Sequence, residues 1–111
     1  MLRTVLSNLV APPSTRPYPY MQREPFPEAR GRITLDVTRC AFCGACARRC
    51  PSGALTVRRN EKEVVLEPFR CIVCEACREV CPRQAIDLNP HYRPPAYEKS
   101  SEVYRATETV G

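Results

Sequence analysis

Cys40-Ala-Phe-Cys43-Gly-Ala-Cys46-Ala-Arg-Arg-Cys50-Pro51 is answered, 31 residues further on, by Cys71-Ile-Val-Cys74-Glu-Ala-Cys77-Arg-Glu-Val-Cys81-Pro82. Both runs have the spacing C-x2-C-x2-C-x3-C-P, and together they hold all 8 cysteines of the 111-residue chain. Thiolates are soft ligands that suit zinc, copper(I) and iron–sulfur clusters. Zinc sites generally use two C-x2-C pairs separated by a long loop. Here three cysteines come at i, i+3 and i+6, a tight loop that can wrap three corners of a cube, with a fourth just before a proline.

That spacing is the one used to hold [4Fe–4S] clusters, and in the two-cluster form the fourth cysteine of each run ligates the other cluster. Cys40, Cys43, Cys46 and Cys81 are therefore expected to hold one cluster, and Cys71, Cys74, Cys77 and Cys50 the second. Zinc or disulfides are the competing uses of these thiols. Ligands that cross between the halves would tie them together, so metal loss is expected to unfold the domain. Gly44, Ala45, Ala47 and Ala76 are small enough to let backbone N–H groups approach the sulfurs. Phe42, Leu55, Ile72, Val73 and Ile86 are candidates to shield the clusters from water. Glu75 and Glu79 flank the second run while Arg39, Arg48 and Arg49 flank the first. The cluster beside Glu75 is expected to sit lower in potential, because a carboxylate disfavours an added electron.

The totals leave room for one domain. A cysteine region this short cannot bury a large apolar core, and small chains of that kind need a staple of metal or disulfide. The formal net charge is +5 with thiols counted neutral. Two thiolate-held cubes of about −2 each when oxidised, or −3 when reduced, bring the total to about +1 or −1. The basic balance thus offsets cluster charge. No recognition helix, aromatic-basic sheet or zinc finger accompanies it to suggest nucleic acid. No apolar run approaches the ~20 residues of a bilayer span. Residues 1–11 make a poor secretion signal, which points to the cytosol. No catalytic residue is expected: His91 is the single histidine, in a Pro-rich context, and no phosphate loop, paired-acid site or nucleophile–base set appears.

Around the cysteines, Arg32–Val37 alternates as a strand. Leu55–Val57 and Val64–Leu66 flank the polar turn 59–62 as a hairpin, and Ile86–Leu88 reads as a last short strand. Short helices are expected over Gly44–Arg49 and Glu75–Val80, each stopped by Cys-Pro, since the residue before proline disfavours helix. The fold class is α+β: a domain over 31–89 with a pseudo-two-fold internal repeat. Ahead of it, residues 1–30 form a short amphipathic helix and a Pro-rich arm. Leu2, Val5, Leu6, Leu9 and Val10 share one helical face, and Pro12-Pro13 ends it. Such a helix needs a surface to lie on, a partner subunit in preference to the membrane interface. Tyr18, Tyr20, Met21 and Phe26 among the prolines point to an arm that wraps a neighbour. Residues 90–111 read as a second extended arm with Tyr92, Tyr97 and Tyr104 as anchors.

At the cysteine runs the chain resembles bacterial two-[4Fe–4S] ferredoxins. Thr15-Arg-Pro-Tyr-Pro-Tyr20, Arg30-Gly-Arg-Ile33, Phe69-Arg-Cys-Ile-Val-Cys74 and Tyr92-Arg-Pro-Pro95 further resemble the small iron–sulfur subunit of energy-converting, membrane-bound [NiFe] hydrogenases and formate hydrogenlyase. That subunit is related to the two-cluster peripheral-arm subunit of respiratory complex I. The resemblance implies an electron-transfer subunit without catalysis of its own. It would relay electrons from a ferredoxin-like, CO- or formate-linked donor protein to the small-subunit cluster of a hydrogenase-type complex. Its partners would be hydrogenase-like large and small subunits, at the cytoplasmic side of the membrane, with membrane contact only through them. Glu75 stands where that subunit more usually has glycine. A complex I-type subunit, and a free or detachable ferredoxin such as that of a 2-oxoacid oxidoreductase, are the alternatives. Free ferredoxins are compact and acidic, unlike this basic chain with long flanks. A redox sensor is a third reading, but it would expect an effector element that the sequence does not display.

Overall fold

The structure is a computed structural model, and residues 1–106 are described. In chain order they form α1 (Leu2–Val10), β1 (Arg32–Leu35), α2 (Ala45–Arg49), β2 (Leu55–Arg58), β3 (Glu63–Leu66), α3 (Ala76–Glu79), β4 (Ile86–Asn89) and β5 (Glu102–Arg105). β1 pairs antiparallel with β4, Ile33 opposite Leu88 and Leu35 opposite Ile86, so the strand before the first cysteine run is bonded to the strand after the second. β2 and β3 form the expected hairpin, Leu55 opposite Leu66 and Val57 opposite Val64. α2 and α3 pack against each other, α2 also against β2 and α3 against β4. The core is Ile33, Leu35, Leu55, Val64, Leu66, Ile86 and one sulfur residue, Cys77. Alternation along β1 puts Ile33 and Leu35 inward, as period-two patterning requires.

Three pairs of left-handed residues recur at the offset of the cysteine runs. Phe42 and Val73 (both φ 51°), Gly44 and Glu75 (76° and 66°), and Gly53 and Gln84 (62° and 49°) are left-handed, each pair 31 residues apart. The two short helices begin one residue later than expected for this reason. Gly44 and Glu75 are left-handed N-caps and not helical residues. α3 also stops at Glu79, one residue short.

β5 departs from the reading of residues 90–111 as an arm alone. It joins β3, with Val64 opposite Tyr104 and Leu66 opposite Glu102, and extends the hairpin to three strands. Its side chains explain why it docks. Arg105 Nε bonds the carboxylate of Glu63 at 2.9 Å, satisfying an acid that is 3% exposed. Tyr104 donates its hydroxyl to Glu102 at 2.7 Å, and Glu102 also accepts from Arg93. The expected anchors differ: Tyr104 is half-buried, whereas Tyr92 and Tyr97 are exposed. Residues 107–111 of the expected arm lie outside the described residues.

The N-terminal segment packs differently. α1 buries none of its residues, and Tyr18, Tyr20, Met21 and Phe26 are exposed. The radius of gyration is 19.9 Å, against about 13 Å for a compact chain of this length. The helix and arm therefore project from the domain.

The Tyr104 phenol is pushed up to about 12 by burial first, then by its bond to Glu102 and that group's charge. A folded value above the unfolded one, about 10, gives stability that is intact below pH 10 and lost as pH rises towards 12. Denaturant melts are expected to show this alkaline loss in the wild type and not in Tyr104→Phe.

Candidate metal centre

The cysteines are distributed by the loops and not by the regular elements. Each C-x2-C-x2-C run is a loop ending in one turn of helix, and the left-handed residues 42, 44, 73 and 75 bend it so that successive sulfurs converge. The result is two sulfur-lined cavities. The first, about 370 Å³ counting the part open to solvent, is lined by Cys40, Cys43, Cys46 and Cys81, with Leu35, Phe42 and Ile86 among its walls. The second, about 270 Å³ again counting the part open to solvent, is lined by Cys50, Cys71, Cys74 and Cys77, with Ile33, Leu55 and Ile72. Each cavity thus takes three sulfurs from one run and the fourth from the other.

All eight thiols are free. Cys43 and Cys74 are exposed, Cys77 is buried and the rest are half-buried. Among the described residues no three His, Cys, Asp or Glu side chains converge as ligands of a single ion. Tetrahedral zinc at about 2.3 Å would draw its sulfurs to about 3.8 Å from one another. The corners of a cube leave them farther apart, and the donor set of four soft sulfurs around an apolar hole fits that larger group.

Backbone donors point at the sulfurs. The amide of Phe42 lies 3.5 Å from Cys40 Sγ, that of Ala54 3.3 Å from Cys50 Sγ, and that of Ala85 3.3 Å from Cys81 Sγ. Ala54 and Ala85 were not among the small residues the sequence singled out. Their signal was present as Cys-Pro-x-x-Ala, which occurs in both halves, and both are 1% exposed. Phe42, Val73, Leu55 and Ile86 are at least partly buried, as shields should be. Ile72 is not one: it stands 64% exposed at the cavity rim, because its place in the loop matches that of exposed Ala41.

Burial pushes the Cys77 thiol up to about 11, and the thiolates of Cys71 and Cys46 add to it. Cys46 belongs to the other cavity, so the two sites are neighbours. Burial likewise pushes Cys40 and Cys46 up. At Cys50 burial is again the largest influence and acts upward. The Ser52 hydroxyl and the amides of Ala54, Ser52 and Leu55 together outweigh it and hold this thiol below its ordinary value.

The surrounding charges are not all free. Arg39 is held by Asp36 at 2.9 Å and Asp87 at 2.8 Å. Arg59, from the β2–β3 turn, donates to the Cys43 carbonyl and closes over the first loop. Glu75 lies 3.1 Å from Arg30 and 3.6 Å from Arg78.

Residues 32–82 match the family of the 4Fe-4S dicluster domain. This region is a 4Fe-4S dicluster ferredoxin domain. Its eight cysteines fit two [4Fe–4S] clusters. No curated protein matches the chain. Among solved structures, the chain is similar to a chain of the membrane-bound sulfane sulfur reductase, an archaeal respiratory membrane complex. The two are 31% identical, with a TM-score of 0.64 over 81% of this chain and 51% of that one. The chain thus spans about half the length of that relative. Among the described residues no helix is long and apolar enough to cross a membrane.

Removing iron with a chelator is expected to abolish cooperative unfolding, measured by circular dichroism, because the cavities occupy the place of a core. Reconstitution with iron and sulfide at pH 7 is expected to release about eight protons per chain from the thiols as they give way to metal, in addition to those the hydrosulfide loses on becoming cluster sulfide, measured in a weakly buffered solution.

Proposed function

We propose that this chain is a fixed electron-transfer subunit of a membrane-associated oxidoreductase, with one cluster held by Cys40, Cys43, Cys46 and Cys81 and the other by Cys50, Cys71, Cys74 and Cys77. The partition of the thiols between two adjoining cavities is the observation that carries the reading. When bound, each cluster takes up and gives back one electron at a time. The chain's part is to bind through eight thiolates, to aim the Phe42, Ala54 and Ala85 amides at sulfur, which favours added negative charge, and to keep water away with Leu35, Leu55 and Ile86. The β1–β4 ladder joins the halves, and the repeated left-handed positions support a pseudo-two-fold relation between them.

The exposed face of α1 and the aromatic arm support a neighbouring protein as their covering, since bare apolar surface of that extent marks an interaction site. The complex is proposed to be of the membrane-bound hydrogenase type, with hydrogenase-like large and small subunits, an external donor protein and a peripheral position on the cytoplasmic side. The likeness to a sulfane sulfur reductase subunit favours a second reading, a related complex that reduces sulfur compounds.

Iron and sulfide analysis of anaerobically purified protein is expected to give about eight of each per chain. After mild detergent extraction the chain is expected to copurify with hydrogenase-like and integral membrane subunits. Recovery of the chain alone in the high-speed supernatant would reject the fixed-subunit reading.

A further inference from the structure

The two cysteine loops share a backbone but differ in charge at one point. Gly44 and Glu75 both start their helices in the left-handed region. Glycine is at ease there. A glutamate is strained, and it puts a carboxylate between Cys74 and Cys77. This carboxylate is not bare: Arg78, one turn along α3, lies 3.6 Å away, and Arg30 lies 3.1 Å away.

Arg30 comes from the N-terminal arm. Its position is set by the next residue, since a Cβ on Gly31 would run into the carbonyls of Pro90 and Asn89. Glycine at 31 therefore lets the end of the arm lie directly against the start of the C-terminal segment, which places Arg30 at Glu75. Arg30 is 62% exposed in this pair and Glu75 24%. Exposed pairs of this kind hold weakly, so the seating can be undone. The same arm carries exposed Tyr18, Tyr20 and Phe26 further from the domain.

We propose that Arg30 is a positioning residue that sets the reduction potential of the second cluster through Glu75, and does so only while the arm is seated at Gly31. The inference rests on the reading that Cys50, Cys71, Cys74 and Cys77 hold that cluster. Its reduction adds one electron from the donor, makes and breaks no bond, and takes the cluster with its thiolates from about −2 to −3. A carboxylate alone beside the site opposes that change; one neutralised by Arg30 does so far less. Movement of the arm thereby becomes a change in potential.

The test is a dithionite titration of the full, two-cluster protein, followed by electron paramagnetic resonance, for wild type, Arg30→Gln, Glu75→Gln and the double variant. Arg30→Gln is expected to lower one potential and leave the other unchanged, moving that cluster's reduced-to-oxidised ratio at fixed poise several-fold toward oxidised. A tenfold move is 59 mV for one electron. In the Glu75→Gln background the same substitution is expected to do nothing, and Gly31→Ala is expected to reproduce the lowered potential with Arg30 intact. If Arg30→Gln leaves both potentials unchanged, or shifts one equally in both backgrounds, the coupling through Glu75 is wrong while the cluster sites stand. Iron near four per chain in the wild type, with a single reduced signal, would instead overturn the site reading and this proposal with it.

Discussion

Eight sulfurs must be brought around two adjoining holes by a domain whose apolar core is six aliphatic side chains and one cysteine. This constraint governs the rest of the structure. So few buried side chains cannot outweigh the conformational entropy of ordering the domain, which is of order 1–2 kcal/mol per residue for the backbone alone. Metal–thiolate bonding is the contribution that can, since binding free energy at a site absent from the unfolded chain is folding free energy. In the proposed ligand sets, exchange of the fourth cysteine would make that contribution cooperative. Neither cavity is complete without the other run, so neither half has a finished site alone. The β1–β4 ladder and the contact between α2 and α3 follow as the means of holding two loops face to face.

The same constraint explains the strained backbone. Three sulfurs within seven residues can converge on one hole only if the loop turns sharply, and left-handed residues supply the turns. Gly44 does so without penalty. Phe42, Val73 and Glu75 carry a Cβ into that region at about 1–2 kcal/mol each. Backbone amides freed from regular structure are then available to the sulfurs, as at Phe42, Ala54 and Ala85. Strain and hydrogen bonding to sulfur are thus two results of one geometry.

The grouping of the cysteines around two cavities was legible in the sequence because ligand spacing is a local property that chemistry restricts to few forms. The hairpin and first strand were legible for a similar reason, alternation over a few residues. What escaped depends on partners distant in the chain. β5 is a polar tetrapeptide, Glu102-Val-Tyr-Arg105, with no apolar pattern to announce it. It is a strand because Glu63 offers a buried carboxylate to Arg105, and because Arg93 and Tyr104 converge on Glu102. The pairing of Arg30 with Glu75 was hidden in the same way, across 45 residues. The charge of Glu75 could be read, but its neutralisation could not.

The flanks carry the opposite imbalance to the domain. Inside, apolar side chains are too few; outside, Leu2, Val5, Leu6, Leu9, Tyr18, Tyr20, Met21 and Phe26 are exposed in one continuous segment. Folding against its own domain would have enlarged the core, yet the helix buries nothing there. A nine-residue helix without a capping side chain is marginal in water. Its amphipathic pattern is therefore best understood as complementary to a surface on another molecule. The domain is stabilised from within by its clusters, which leaves the chain's apolar surplus free for assembly.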